Sequence, residues 1–355
     1  MKKLVDIQGD MVRMRRSVEE GQFDAIVAVS PENVRYVGGV SIDTQKSIRD
    51  RLAMIVWAKG HEPLYILCRV EEGYVRQESW IQDIRTYKEF VTTPISVLAE
   101  VLKELKLENG HVGIETEYLA AKYYKDLMKD LPNLKLDSCE DVFARVRMYK
   151  TPKELEILRN GYVATEKALL STYQTIVEGE TEKSMANRLA NAMMHCGADF
   201  AHFYHINAGP NTGFPHMHPS SYQVKKGDIV KADCGGLFNE FVTNIGRTAK
   251  IGKPSVEDNS YWRRLREIHH KITDMLRPGN TGRQLFEKAT ELHAKAGLDF
   301  PYAHNGHGVG LQVHERPLIG PYEDIPYEPG MVSTVETRVR WVGKVGYHME
   351  DLFLI

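Results

Sequence analysis

Apolar and polar positions along this chain fall into two textures. Through the first 148 residues, short apolar runs alternate with stretches of helical spacing. Residues 24–29, an acid followed by five apolar positions, predict a buried strand, and a short helix is expected through residues 32–36. Residues 52–57 and 64–68 predict two further strands, separated by the turn residues Gly60-His61-Glu62-Pro63. Helical periodicity over 97–107, a short apolar strand at 111–115 and a second helix over 118–128 complete an α/β layered domain, residues 1–148.

The texture changes after Met148-Tyr149-Lys150. Thr151-Pro152-Lys153-Glu154 is a helix start, with Thr as N-cap, Pro in the first turn and Glu closing a capping box. Leu155, Leu158, Tyr162, Thr165 and Leu169 then recur at helical spacing, which predicts a long surface helix opening a second domain, residues 149–355. A second helix follows over 181–195, with Gly197 as its stop and Met193-Met194 as core filling. Strands and turns are expected from 202 to 250, helices over 256–276 and 282–296, and strands again from 306 to the end. The whole reads as an α+β chain of two domains.

At 355 residues the chain exceeds one typical core. Its 46 basic and 48 acidic residues leave a net charge of −2, which gives no reason to expect a nucleic-acid partner. Asp6, Gln8 and Asp10 interrupt any apolar signal segment after Lys2-Lys3, and no run approaches the roughly 18 apolar residues of a membrane span. The four cysteines are scattered without a Cys-x-x-Cys pair, so reduced thiols in a cytoplasmic protein are expected.

The candidate chemistry lies in the last third. Apolar residues 229–232, interrupted by Lys231, lead into Asp233 and then Gly235-Gly236. Asn244 lies eleven residues beyond Asp233, so the two meet only if the chain turns back, for which Gly235-Gly236 and Asn239-Glu240 supply a hairpin. Taken alone, these are a strand-end acid and a turn amide. His307 sits in Gly306-His307-Gly308-Val309-Gly310, where the glycines permit close backbone approach. Glu336 and Glu350 each end an apolar strand segment. A carboxylate buried in such a strand costs several kcal/mol unless it is paired or metal-bound, which is the reason to gather Asp233, His307, Glu336 and Glu350 into one site. Carboxylates with one imidazole suit Mn²⁺, Fe²⁺, Co²⁺ or Zn²⁺. The helical His-Glu-x-x-His template is absent.

With these residues in place, the series Asp233, Asn244, His307, Glu336 after Pro329-Gly330-Met331-Val332, and Glu350 before Asp351 resembles the pita-bread metallopeptidases, the family of methionine aminopeptidase, prolidase and aminopeptidase P. The segment from Asn211 to His216, Arg247-Thr248, and Val313-His314-Glu315 with Pro317 add to the likeness. Residues 30–39 resemble the creatinase/prolidase N-terminal domain, which favours the prolidase-like branch. The resemblance implies a pita-bread catalytic domain behind a smaller α/β domain, one or two divalent metals per chain, a dipeptide or other small substrate, and a homodimer. It implies that Asp233 holds one metal, His307 and Glu336 the other, and that Glu350 and position 244 bridge them. It further implies that Glu336 moves a proton and that His216 and His314 flank the scissile bond.

Position 244 departs from this pattern. An amide offers one neutral oxygen where a carboxylate offers two charged ones, so a second metal is expected to bind weakly or not at all. An engineered change, a natural single-metal enzyme and a relative that cleaves no peptides all fit Asn244. Arg338 and His348 also replace residues usual in the family; with His304 they are candidates for substrate binding, and solvated strand positions are an equal alternative for the first two. The leading expectation is a metal-dependent hydrolase of an amide or imide C–N bond. A non-peptidase enzyme on the same fold, creatinase-like or dimethylsulfoniopropionate-lyase-like, and an inactive binding relative are the alternatives.

Overall fold

A computed structural model describes residues 9–48 and 50–355, so the opening segment read above as no signal peptide lies almost wholly outside the described residues. The chain divides into two units, Met1–Arg147 and Met148–Ile355.

The first unit is built on six strands, β1 (Ala25–Ala28), β2 (Met54–Ala58), β3 (Leu64–Cys68), β4 (Asp83–Tyr87), β5 (His111–Ile114) and β6 (Lys135–Ser138), in the order β4-β3-β2-β1-β5-β6. The central strands β1, β2 and β3 are buried at every position, as their unbroken apolar sequences require. Their core packs against helices Pro94–Glu104 and Ala121–Asp130. The predicted helix near residue 34 spans Pro31–Gly38, with Ser30 as its cap. Buried Glu115 accepts from the Ser30 amide (2.8 Å) and from Asn33 Nδ2 (2.6 Å), so its charge serves the helix N-terminus and not a reaction.

The second unit opens with helix Pro152–Gln174, whose expected capping box forms in full. Helix Glu182–His195 follows, ending at Cys196 with Gly197 at φ 104°. Met193 fills the core as expected, but Met194 projects from the helix and is 45% exposed. Eight strands come next: β7 (Phe200–Ala208), β8 (Ile229–Phe238), β9 (Phe241–Val242), β10 (Ile245–Lys250), β11 (His307–Gly308), β12 (Glu315–Leu318), β13 (Val332–Trp341) and β14 (Val345–Leu354). The main sheet runs β13-β14-β10-β8-β7, all antiparallel, with β9 on β8 and β11-β12 as a separate pair.

Parity along each strand decides its two faces. Val230, Ala232, Cys234 and Ile245 pack against helices Pro152–Gln174 and Glu182–His195. Val335, Val339 and Tyr347 pack against helices Val256–Met275 and Gly282–Lys295. The intervening residues, among them Lys231, Asp233, Glu336, Arg338, His348 and Glu350, are buried on the opposite face. Among the described residues, no helix is long and apolar enough to cross a membrane.

Candidate metal centre

Residues directly opposite in an antiparallel ladder share a face, so the register of this sheet assembles the site in rungs. Glu336 stands opposite Glu350, Glu350 opposite Gly246, Gly246 opposite Asp233, and Asp233 opposite His205. This acidic rung crosses the whole sheet. Two residues along each strand, Arg338 stands opposite His348, and Lys231 lies between Thr248 and Asn207. Thr248 joins the halves of this second rung: its hydroxyl accepts from the His348 amide (2.9 Å) and donates to the His348 carbonyl (2.8 Å). Gly246 is required at the crossing, because a Cβ there would lie 2.8 Å from His348 Cε1 and 2.9 Å from Glu350 Cβ. Asp351 points to the other side of the sheet, where Arg247 (2.7 Å) and Tyr162 (2.8 Å) hold it.

One potential ligand atom from each of Asp233, Glu336, His348 and Glu350 lies within 4.8 Å of the others. Asp233 Oδ1, Glu350 Oε2 and Asn244 Oδ1 accept no hydrogen bond. Neither ring nitrogen of His348 makes an aligned one, although Nε2 is 3.1 Å from Glu336 Oε1 and 3.6 Å from Glu350 Oε2. Buried polar atoms ordinarily find partners, so several left open toward one point mark a ligand position. Three carboxylates and an imidazole are donors for a hard or borderline divalent ion, and the residues therefore fit a metal.

His307 adjoins this cluster. Its Nδ1 faces the Gly308 carbonyl (3.0 Å), which directs Nε2 toward Glu350 Oε1 (3.4 Å) and Asn244 Nδ2 (3.4 Å). The glycines beside it are needed for packing: a Cβ at Gly306 would fall 2.1 Å from the Thr334 carbonyl oxygen, and one at Gly308 2.5 Å from that of Arg316. Asn244 donates from Nδ2 to Glu350 Oε1 (2.9 Å), so an NH₂ group occupies the space between Glu350 and His307. The chain does turn between Asp233 and Asn244, with Asn239 and Glu240 at positive φ.

Arg338 and His348 are not solvated strand residues: they are 3% and 0% exposed. Arg338 Nη1 pairs with Glu336 Oε2, and its guanidinium lies 4.2 Å from the Tyr302 ring centre. His304 Nε2 reaches the same Glu336 oxygen at 3.3 Å. Burial alone would raise Glu336, yet the Arg338 guanidinium and the His304 and His348 rings hold its carboxyl well below the usual range. Glu350 goes the other way, raised by burial and by the charges of Glu336 and Asp233 against the pull of His307. His216 and His314 are exposed. His216 Nε2 is 3.9 Å from Asp233 Oδ2, and His314 stacks on His307 with ring centres 3.9 Å apart. Burial, then the neighbouring His307 and His304, push His314 down to about 4.

Lys231 and Arg340 belong to no motif that the sequence displays. Lys231 is fully buried and donates to the Phe214 and Pro215 carbonyls (2.5 and 3.0 Å), which ties down the loop before His216. Its charge is disfavoured by burial and by Arg340, which bring it down to about 7. Both residues stand at even spacing from a recognised acid, two before Asp233 and four after Glu336, and that was the available signal.

The sheet is covered by helices on one side and carries this donor cluster on the other, the setting of a metal-dependent enzyme. Residues 156–355 match the model of metallopeptidase family M24, and residues 11–149 match the creatinase/prolidase N-terminal domain, so the chain belongs to metallopeptidase family M24 and has its two-domain pita-bread architecture. It is 26% identical to an Xaa-Pro dipeptidase of Pyrococcus furiosus over 97% of this chain and 94% of that one. Among solved structures, an X-Pro aminopeptidase of Thermotoga maritima superposes with a TM-score of 0.85 at 25% identity, covering 98% of this chain and 94% of that one. The prolidase of Pyrococcus horikoshii gives a TM-score of 0.84 at 26% identity, covering 97% and 94%.

Proposed function

We propose that this chain is a dipeptidase that cleaves the amide or imide bond of a small, Xaa-Pro-like substrate with a single divalent ion. The observation that carries the reading is the buried convergence of Asp233, Glu336, His348 and Glu350 within 4.8 Å. The names of the relatives support it over the non-peptidase and inactive alternatives. Asp233, His348, Glu350 and Glu336 would hold the ion, which when bound supplies Lewis acidity and a more acidic water. Glu336 Oε2 is engaged by Arg338 and His304, so Oε1, which faces His348 at 3.1 Å, is the oxygen that would take up a proton. His216, on the Asp233 side, and His314, on the His307 side, are exposed imidazoles whose pKa values are lowered, which suits them to hold the substrate carbonyl oxygen through a neutral N–H.

The single-ion reading is supported by the Asn244 NH₂, which faces both Glu350 and His307 where a second ion would need oxygen donors. Elemental analysis after Mn²⁺ loading and desalting, with hydrolysis of alanyl-proline followed alongside, tests both parts. One retained Mn²⁺ with hydrolysis is expected. Two retained ions would overturn the single-ion assignment; no retained ion and no hydrolysis would overturn the dipeptidase reading.

A further inference from the structure

The donors of the cluster come from two halves of one sheet, and the halves rest on largely separate apolar cores. Strands β7, β8 and β10 pack with helices Pro152–Gln174 and Glu182–His195, and β13 and β14 pack with helices Val256–Met275 and Gly282–Lys295; Ile229 of β8 joins the second core. Asp233 stands in the first half, and Glu336, His348 and Glu350 stand in the second. The halves adjoin along β10 and β14. That seam has one paired rung, Gly246 opposite Glu350, against six between β8 and β10 and ten between β13 and β14. An ion held by both halves therefore needs the seam fixed by more than its ladder.

Two consecutive residues of β10 fix it, one from each face. On the metal side, the Thr248 hydroxyl accepts from the His348 amide (2.9 Å) and donates to the His348 carbonyl (2.8 Å), so a side chain does the work of a missing rung. On the helix side, Arg247 Nη1 donates to the carbonyls of Glu350 (2.7 Å) and Gly246 (3.0 Å), the two members of the rung that does form. Its Nη2 meets Asp351 Oδ1 and Glu166 Oε1, both at 2.7 Å. Glu166 lies on helix Pro152–Gln174, so this grip runs back into the first half. Asp351 also lies 3.1 Å from His269 Nε2, on helix Val256–Met275 of the second half.

The grip from β10 falls on the main chain of His348 and Glu350, the two residues of β14 whose side chains enter the cluster. Neither Arg247 nor Thr248 offers a donor to the ion itself. We propose that Arg247 and Thr248 are positioning residues for the metal centre: Arg247 fixes Glu350 and Thr248 fixes His348, so that both side chains face Asp233 across the seam before an ion binds. The inference rests on the metal-centre reading and says what holds that centre ready. Groups of this kind, one bond removed from the ligands, commonly carry a 10- to 100-fold share of metal affinity.

The test compares the full-length parent with Thr248→Val, which keeps the shape and removes the hydroxyl, Thr248→Ser, which keeps the hydroxyl, and Arg247→Lys, which keeps the charge and loses the planar fork. Titration calorimetry of the metal-free chains with Mn²⁺ reads affinity, and the visible absorption bands of the Co²⁺-loaded chains read ligand geometry. Thr248→Val and Arg247→Lys should bind Mn²⁺ about 10- to 100-fold more weakly and shift the Co²⁺ bands, while Thr248→Ser stays near the parent. Amide hydrogen exchange in chelator should quicken over residues 345–354 in Thr248→Val and stay unchanged over 229–238. Parent affinity and parent Co²⁺ bands in Thr248→Val would overturn the proposal, even with a lowered urea midpoint, because the hydroxyl would then serve stability alone. A parent that takes up neither ion would overturn the metal-centre reading instead, and the exchange over 345–354 would still decide whether Thr248 closes the seam: unchanged exchange refutes it.

Discussion

Asn244→Asp restores the carboxylate that the family pattern calls for, and its cost without metal can be worked out. Asn244 Nδ2 now donates to Glu350 Oε1 at 2.9 Å, and two unit charges at that distance would repel by about 6 kcal/mol at an effective dielectric constant of about 20. The molecule has a cheaper route, because one carboxyl can stay protonated and donate the hydrogen bond itself. Keeping an Asp of ordinary pKa protonated costs about 4 kcal/mol at pH 7 and about 1.5 kcal/mol at pH 5, which caps the penalty. Glu350 is already raised by burial, so the pair shares a proton in the folded state that the unfolded chain releases. A folded pKa above the unfolded value gives stability at low pH that is lost as pH rises, so the penalty should grow from pH 5 to pH 7. The assay is the urea midpoint of parent and variant in chelator at both pH values, repeated with Mn²⁺. The variant should fall behind the parent mainly at pH 7, recover with Mn²⁺, and retain two ions per chain instead of one. An equal loss at both pH values with unchanged metal content would refute the reasoning, since neither charge repulsion nor a completed ligand set would then be at work.

Glu336→Gln leaves Arg338 buried without its charge partner, at a cost of roughly 3–5 kcal/mol in stability. Turnover should fall further than Mn²⁺ affinity, and equal losses of the two would remove the proton-carrying role of Glu336. Gly246→Ala places a methyl group against His348 and Glu350, for an overpacking cost of about 1–3 kcal/mol, and should weaken Mn²⁺ retention at least tenfold while the circular dichroism of the fold persists. Glu154, raised by burial to about 7, contributes stability at low pH that is lost as pH rises through 7. Glu154→Gln keeps the capping box and should raise the melting temperature at pH 8 but not at pH 4; no difference between the two would sink this account.

The acids were legible because a carboxylate at the end of an apolar strand demands an explanation, and Asp233, Glu336 and Glu350 all converge. His307, expected from its glycines, adjoins the cluster without being one of its four members, and nothing in the composition marks His348 as one of them. The place of His348 follows from hairpin register: β13 and β14 pair so that Arg338 meets His348 as surely as Glu336 meets Glu350. Lys231 and Arg340 were hidden for a different reason, since a cation in a strand reads as a solvent-facing residue unless both faces are known to be covered. In the first unit, the buried strands and two main helices could be read from apolar runs. The strands β4 and β6 could not, because they form the two edges of the sheet, and Asp83, Arg85, Lys135 and Asp137 break the apolar pattern.

The alternation of an acidic rung with a cationic one makes the β13–β14 hairpin a ruler as well as a wall. Its turn, residues 342–344 with Gly343 at φ 70°, sets which side chains meet. A slip of one residue would carry Glu336, Arg338 and Arg340 into the helix-packed core and turn Val335 and Val339 toward the substrate. A one-residue insertion or deletion taken up as such a slip would scramble the site. Substitutions on the rungs keep that register but carry their own cost, as Glu336→Gln does through Arg338, so the wall of the site changes one buried contact at a time.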